Sequence, residues 1–342
     1  MTDLMKAAVL QKPGEIHMTE RPWPGKPRAD EACVRVRRVG VCGTDYHAFR
    51  GNQPFFQYPR VLGHELSVEV LSTSEVGLGL KEGDRCAIEP YLNCGHCSAC
   101  LRGKTNCCAH LQVLGVHIDG GMCERMNVPL SKLHRSRLLG LDHLALVETL
   151  GIGAHAVERA ALKPGEQALI IGMGPIGLSA AEFARQAGAE IIAADLSAQR
   201  LAFSRDIFEM SRCLDSRHDL VSQLADVLKG DLPTVVFDCT GSAESMRRSF
   251  NYVAPGGKLV FVGLFTGEIT FDDPEFHRRE MTLLSSRNST AEDFRRVIGL
   301  METGQLDVSR WITHRVSSRE FIDAFPRWIE LGAGVIKAVI EW

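Results

Sequence analysis

The segment Gln167-Ala168-Leu169-Ile170-Ile171-Gly172-Met173-Gly174-Pro175-Ile176-Gly177 constrains this chain more than any other. Its opening residues are too few and too apolar for anything but a buried strand, and glycines at 172, 174 and 177 punctuate the chain just beyond them. Ile176 to Ala187 then reads as a helix and Glu190 to Ala194 as a second buried strand. Further on, Asp219 to Lys229 and Ala243 to Tyr252 read as helices. Strands are expected at Thr234 to Asp238, Lys258 to Leu264 and Met281 to Leu284, the last closing a six-stranded set. Strand and helix in alternation make an α/β chain with a doubly wound parallel sheet, covered on both faces.

In that setting the glycine turn acquires a purpose. One glycine permits a tight turn, one lets backbone approach a pyrophosphate, and one lets helix pack on strand, with the free N–H groups of the helix N-terminus facing the phosphates. Asp195 ends the next strand, 18 residues past Gly177. A carboxylate there accepts hydrogen bonds from a ribose 2′-hydroxyl and repels a 2′-phosphate, which favours NAD over NADP. Arg200 comes five residues later; it lies over the adenine, rescues some NADP binding, or is a solvated surface arginine. The expected cofactor-binding set is Gly172, Gly174, Pro175, Ile176, Gly177, Asp195, Leu196, Arg200, Thr240, Gly263, Leu264, Arg287 and Asn288. The competing reading is a doubly wound fold that holds no nucleotide.

The first 150 residues or so have a different texture: short Val-rich alternations such as Cys33-Val34-Arg35-Val36-Arg37, many turn residues, and a cysteine cluster. They read as an irregular, mainly β region. Gly43 to Pro59, with Gly51, Pro54 and Pro59, reads as loop. Past Ser285 a charged helix, Ala291 to Thr303, and an apolar strand, Ala338-Val339-Ile340, make a tail too small to stand alone. It is expected to return to the first region.

Of the 11 cysteines, five fall between Cys94 and Cys108. The N-terminus lacks the layout of a secretion signal, so a cytoplasmic chain with reduced thiols is expected, and crowded thiols there hold metal. Cys94-x2-Cys97-x2-Cys100-x7-Cys108 offers four thiolates that suit a closed, tetrahedral Zn²⁺. An iron–sulfur cluster also takes four cysteines, but in its common spacing the last is followed by proline, whereas Ala109 follows Cys108. Cys107 is a substitute on paper for Cys108. Lys plus Arg number 39 against 42 for Asp plus Glu, and this balance argues against nucleic acid or an anionic membrane as partner. The longest uncharged run, Gln167 to Ala181, is too short and too broken to span a membrane.

With Gly40-Val41-Cys42-Gly43-Thr44-Asp45-x-His47, Gly63-His64-Glu65, Gly120-Gly121 followed by Glu124, the four-cysteine stretch and the glycine turn, the chain resembles the zinc-containing alcohol and polyol dehydrogenases of the medium-chain dehydrogenase/reductase superfamily, over nearly its whole length. The resemblance implies a GroES-like, mainly β catalytic domain at 1–152 and 286–342, with a structural zinc lobe at 90–110, and a Rossmann NAD-binding domain at 153–285. It makes Cys42 and His64 ligands of a second, catalytic zinc. The third ligand is Glu148 or Glu65, a choice the sequence leaves open. Asp45 matches a carboxylate that orients His64. Thr44 and His47 are implied as a proton path from the reacting hydroxyl, through the cofactor ribose, to solvent. The family pattern has a glycine where this chain has Val68, and a β-branched residue there points to extended backbone. Thr149 stands where many relatives have proline.

The implied activity is reversible oxidation of a secondary alcohol by NAD, with two zinc ions per chain and the nicotinamide in a cleft between the domains. The stretches Phe49 to Phe56, Pro90 to Cys97 and Ser286 to Asn288 look most like the bacterial sugar-acid branch, which includes L-galactonate and L-gulonate 5-dehydrogenases. Arg287 then supplies a cation for a hexonate carboxylate. Sorbitol-like polyols and L-threonine are the alternatives, and a non-enzymatic NAD- and zinc-binding scaffold is a remote third. Phe49, Phe55, Phe56 and Tyr58 wall a pocket or simply fill core. A homo-oligomer, dimer or tetramer, is expected from the resemblance.

Overall fold

The structure is a computed structural model that describes residues 3–54, 56–73, 79–330 and 333–342. The chain divides into two compact units, Met1–Glu148 with Thr290–Trp342, and Thr149–Ser289.

In the Thr149–Ser289 unit, the described residues form a six-stranded parallel sheet in the order Cys213–Asp215, Glu190–Asp195, Gln167–Ile171, Val235–Asp238, Lys258–Phe261, Thr282–Ser285. The inner strands are almost wholly buried because helices cover them, so they carry continuous apolar runs. Chain order reverses between Gln167–Ile171 and Val235–Asp238. Register aligns Ile171 with Ala194 on one side and with Asp238 on the other, so Gly172, Asp195 and the Asp238–Thr240 turn emerge along one edge. That edge, at the reversal, is where open α/β sheets bind ligands. The strand Cys213–Asp215, too short to show a pattern, supplies the sixth member that sequence reasoning left without a location.

The glycine turn behaves as its spacing predicts. Gly172 has φ +90°, and a Cβ on Gly177 would sit 1.9 Å from the Gly172 carbonyl oxygen, so neither position accepts a side chain. Pro175 opens the helix Pro175–Gln186 at its first turn, where no N–H is missed.

Among the described residues the strand pairs of the other unit are antiparallel, except that Ile312–Ser317 runs parallel to Lys337–Glu341. The strand Glu31–Val41 is its spine: it pairs with Glu65–Thr73, with Arg125–Pro129 and with the C-terminal Lys337–Glu341. The tail therefore returns into this sheet. Val34, Val36, Val39, Leu66, Val68 and Val70 line the core between strands. Val68 lies within the extended strand Glu65–Thr73, paired with Val36. Among the described residues no helix is long and apolar enough to cross a membrane.

One expectation is corrected here. Gly43 to Pro59 is not all loop, because Gly43–Arg50 is a helix. Cys42 is its N-cap, and Asp45 accepts a hydrogen bond from the Cys42 backbone N–H at 2.9 Å, which satisfies an orphan donor of the first turn. Gly51, at φ +80°, ends it. With only eight residues beside Gly51 and Pro54, the period was too brief to read.

Candidate metal centres and nucleotide turn

The strand pairing of the first unit builds a buried cluster from residues far apart in sequence. Gly40 lies opposite Glu65, and Val41 opposite Ala338. A Cβ on Gly40 would lie 2.2 Å from Glu65 Oε2, so only glycine leaves room for that carboxylate. Lys337, immediately before Ala338, donates from Nζ to both Glu65 oxygens at 2.7 Å and to the Val41 carbonyl at 3.3 Å. His64 comes directly after the turn at Gly63, which is held by Gly121 N–H on the Gly63 carbonyl at 2.9 Å.

Ligand atoms of Cys42, His64 and Glu65 lie within 4.8 Å of one another. Glu148, from the helix Leu141–Ala160, is also buried and close enough to act electrostatically on His64, while its carboxylate accepts a hydrogen bond from the Tyr91 hydroxyl. Among the described residues Asp45 Oδ1 and His64 Nδ1 have no hydrogen-bond partner, and they face each other at 3.9 Å.

The electrostatics show what the cluster lacks. Burial works against a charged imidazole, yet the charges of Cys42, Asp45 and Glu148 and a hydrogen bond with Cys42 hold the His64 pKa well above its ordinary value. Burial raises the Asp45 and Glu148 carboxyls above the usual range. Lys337 stays cationic despite its burial because Glu65, Cys42 and Glu148 surround it. A buried group of acids that pulls protons onto its neighbours is a site short of positive charge. A sulfur, an imidazole and carboxylate oxygens are donors that Zn²⁺ accepts, and Cys42, His64 and a glutamate would leave one position open. The residues fit a catalytic zinc.

The second cluster is closed. Ligand atoms of Cys94, Cys97, Cys100 and Cys108 lie within 4.8 Å of one another. The Cys108 sulfur is 3.5 Å from that of Cys94 and 3.9 Å from that of Cys97. Tetrahedral zinc, with Zn–S near 2.3 Å, sets sulfurs about 3.8 Å apart. Backbone N–H groups of Cys94, Cys97 and His110 point at these sulfurs at 3.3 to 3.4 Å. Backbone N–H groups of Cys100 and Ala109 lower the Cys97 thiol to about 6. By contrast, burial pushes the core thiols Cys86 and Cys123 up to about 12. Cys107 is exposed beside this cluster and outside it.

At the nucleotide turn, Asp195 accepts hydrogen bonds from Met173 N–H at 2.6 Å and Ser197 N–H at 2.7 Å. These tie the acid to the turn, and a carboxylate retains acceptor capacity for a ribose. Arg200 Nη1 stands 3.9 Å from Asp195 and 3.6 Å from where a Cβ on Gly174 would be, so it lies over the turn while its side chain stays exposed. Thr240 is locked by bonds from its N–H and hydroxyl to Asp238. Leu196 and Leu264, each 65% exposed, offer apolar surface along the same edge, suited to the faces of an adenine ring. Asn288 has φ +53°, and its Nδ2 and the hydroxyls of Ser286 and Ser289 are buried without partners among the described residues.

Thr44 and His47 sit three apart on the helix Gly43–Arg50, hence on one face, and His47 is exposed with Nδ1 on Asn52 Oδ1 at 3.0 Å. Phe49, Phe56 and Tyr58 pack against the hydrophobic core, Phe49 edge-on to Phe325 at 5.3 Å. Phe55 lies outside the described residues. Sequence reasoning missed Lys337 and Tyr91. A lysine opening the apolar run Ala338-Val339-Ile340 was the available signal for the first.

The fold and these clusters define a zinc-type medium-chain dehydrogenase. Residues 175–303 match the zinc-binding dehydrogenase family and residues 28–137 the alcohol dehydrogenase GroES-like domain. L-galactonate-5-dehydrogenase of Escherichia coli (strain K12) is 41% identical over 99% of both chains. Sorbitol dehydrogenase of Halalkalibacterium halodurans is 30% identical over 94% of this chain and 95% of its own. Among solved structures, a putative zinc-binding dehydrogenase from Sinorhizobium meliloti 1021 bound to NADP has a TM-score of 0.90 at 29% identity, covering 99% of this chain and 100% of that one. The rspB alcohol dehydrogenase of E. coli CFT073 complexed with NADH has a TM-score of 0.92 at 26% identity, covering 99% of each. The chain belongs to the zinc-type alcohol dehydrogenases, oxidoreductases that act on CH–OH donors.

Proposed function

We propose that this protein oxidises a secondary alcohol of a sugar acid, a hexonate such as L-galactonate or L-gulonate, reversibly to the ketone with NAD. The observation that carries the chemistry is half-buried Cys42 facing buried His64, with Glu65 and Glu148 beside them. The substrate class is supported by the 41% identity to L-galactonate-5-dehydrogenase along the full chain.

Cys42, His64 and Glu148 would hold the catalytic ion, with Glu65 kept by Lys337 as the exchangeable fourth group; Cys94, Cys97, Cys100 and Cys108 would hold the structural one. Zinc lowers the pKa of a hydroxyl it touches, for water from about 15.7 to about 7, while NAD accepts hydride. Asp45 steadies the His64 ring from its Nδ1 side. Thr44 would relay the hydroxyl proton by giving up its own, and His47, exposed on the same helix face, would pass it to solvent. Asp195 holds the adenosine ribose and Arg200 the adenine side of the turn. Arg287 pairs with the substrate carboxylate. The exposed strand Thr282–Ser285, at one edge of its sheet, supports assembly into a dimer or tetramer.

An activity panel of hexonates, hexitols and L-threonine, each with NAD and NADP, tests the reading. Hexonate turnover with NAD is expected to dominate. Turnover confined to hexitols would favour the polyol reading, which the sorbitol dehydrogenase relative supports, and absence of hexonate turnover would overturn the sugar-acid one.

A further inference from the structure

The segment Glu89-Pro90-Tyr91-Leu92-Asn93-Cys94 leads into the four-cysteine lobe, and its polar side chains are tied down one after another. Glu89 is buried and accepts from Lys132 Nζ, and from His134 Nε2 at 3.1 Å. Asn93 accepts from Lys132 Nζ at 2.9 Å, and its Nδ2 points at Cys100 Sγ at 3.7 Å. Between these clamps, Tyr91–Leu92 pairs with Gln112–Val113 as a short strand. Tyr91, 3% exposed, donates a hydrogen bond from its hydroxyl to Glu148 Oε1.

Glu148 needs such a partner. The helix Leu141–Ala160 sets its Cα, but a glutamate side chain retains several torsions, and a carboxylate that swings cannot hold a cation in one geometry. A phenol is suited to this position: it donates one hydrogen bond, adds no charge to a site already crowded with acids, and has a rigid ring whose placement is fixed by packing. The bond engages Oε1 and leaves Oε2 without a hydrogen bond from Tyr91, in a carboxylate whose charge already acts on His64.

We infer that Tyr91 is the positioning residue for Glu148, anchored in the four-cysteine lobe and holding that carboxylate in the orientation in which it meets the catalytic ion. This rests on the proposed ligand role of Glu148. It also gives the lobe a task beyond its own shape, because the strand that enters the cysteine cluster carries the hydroxyl that orients a residue of the reaction centre.

Tyr91→Phe tests it, since phenylalanine keeps the ring and removes only the donor. Three readouts are taken on the full-length protein, with Glu148→Ala alongside: zinc retention against a competing chelator, the visible spectrum after cobalt is exchanged into the catalytic site, and kcat and KM. In Tyr91→Phe, affinity for the weaker-held zinc is expected to fall about 10–100-fold, as loss of an outer-shell partner does. The cobalt bands are expected to shift, and kcat to drop with the KM for NAD unchanged. The zinc of the cysteine lobe stays bound and serves as the folding control. A cobalt spectrum and zinc affinity unchanged in Tyr91→Phe but altered in Glu148→Ala would overturn the inference while leaving Glu148 a ligand. If neither variant altered them, Glu148 would not be a ligand, and both the inference and the ligand set beneath it would fall.

Discussion

Lys337 grips both carboxylate oxygens of Glu65 at 2.7 Å, although the two residues stand 272 positions apart in the chain, and both are essentially without solvent exposure. The Glu31–Val41 strand brings them together by pairing with one on each side. Lys337 therefore determines where Glu65 sits.

Removing one member of a buried ion pair strands the other. Lys337→Met is expected to cost about 3–5 kcal/mol in chemical unfolding, with Lys337→Met/Glu65→Gln recovering much of that loss. Losses in Lys337→Met and Glu65→Gln that simply add in the double variant would show that the pair is not coupled.

Gly40 was legible as part of a motif but not for its reason. A methyl at that position would meet Glu65 Oε2 at 2.2 Å and push the carboxylate off Lys337. Gly40→Ala is expected to lose about 1–3 kcal/mol, as overpacking does, and to impair turnover more than an alanine in a neutral strand position would. Activity and stability both at wild-type levels would contradict this.

At the nucleotide turn, Asp195→Asn removes the negative charge that disfavours a 2′-phosphate and weakens the bonds to Met173 and Ser197. The preference for NAD over NADP in kcat/KM is expected to shrink at least tenfold, about 1.4 kcal/mol. An unchanged ratio would place cofactor choice elsewhere, with Arg200 the next residue to test.

Asp142 joins Arg315 and Arg38, and hydrogen bonds from Arg315 hold its carboxyl below the ordinary range. A carboxyl depressed in the folded state stabilises the fold above its unfolded pKa of about 3.9, and that contribution is lost as pH falls through the folded value. Asp142→Asn is therefore expected to lower the thermal midpoint at neutral pH, with the gap closing below about pH 4. A gap that persisted unchanged in acid would mean packing, not charge, accounts for it.

What could be read from the sequence was what lies close together in it. Gly172, Gly174 and Gly177 share one turn, and Cys94, Cys97, Cys100 and Cys108 share one lobe, so local spacing carries their geometry. The Glu65–Lys337 and Tyr91–Glu148 contacts join residues 272 and 57 positions apart, and no local period reports a pairing between distant strands or between a strand and a helix. The Cys213–Asp215 strand and the Gly43–Arg50 helix were obscured by brevity. Phe49 and Tyr58 were ambiguous because an aromatic beside a metal loop serves core and pocket equally well, and packing against Phe325 and the surrounding core decided between them.

The proposed reaction depends throughout on a cation at Cys42 and His64, and counting zinc reaches it most directly. Elemental analysis of the purified protein and of Cys42→Ser, paired with an NAD titration, is expected to give about two ions per chain in the first and about one in the second. NAD affinity should stay within a few-fold and turnover should be abolished. A single zinc per chain in the unaltered protein, or a Cys42→Ser variant that still oxidises its alcohol, would contradict it.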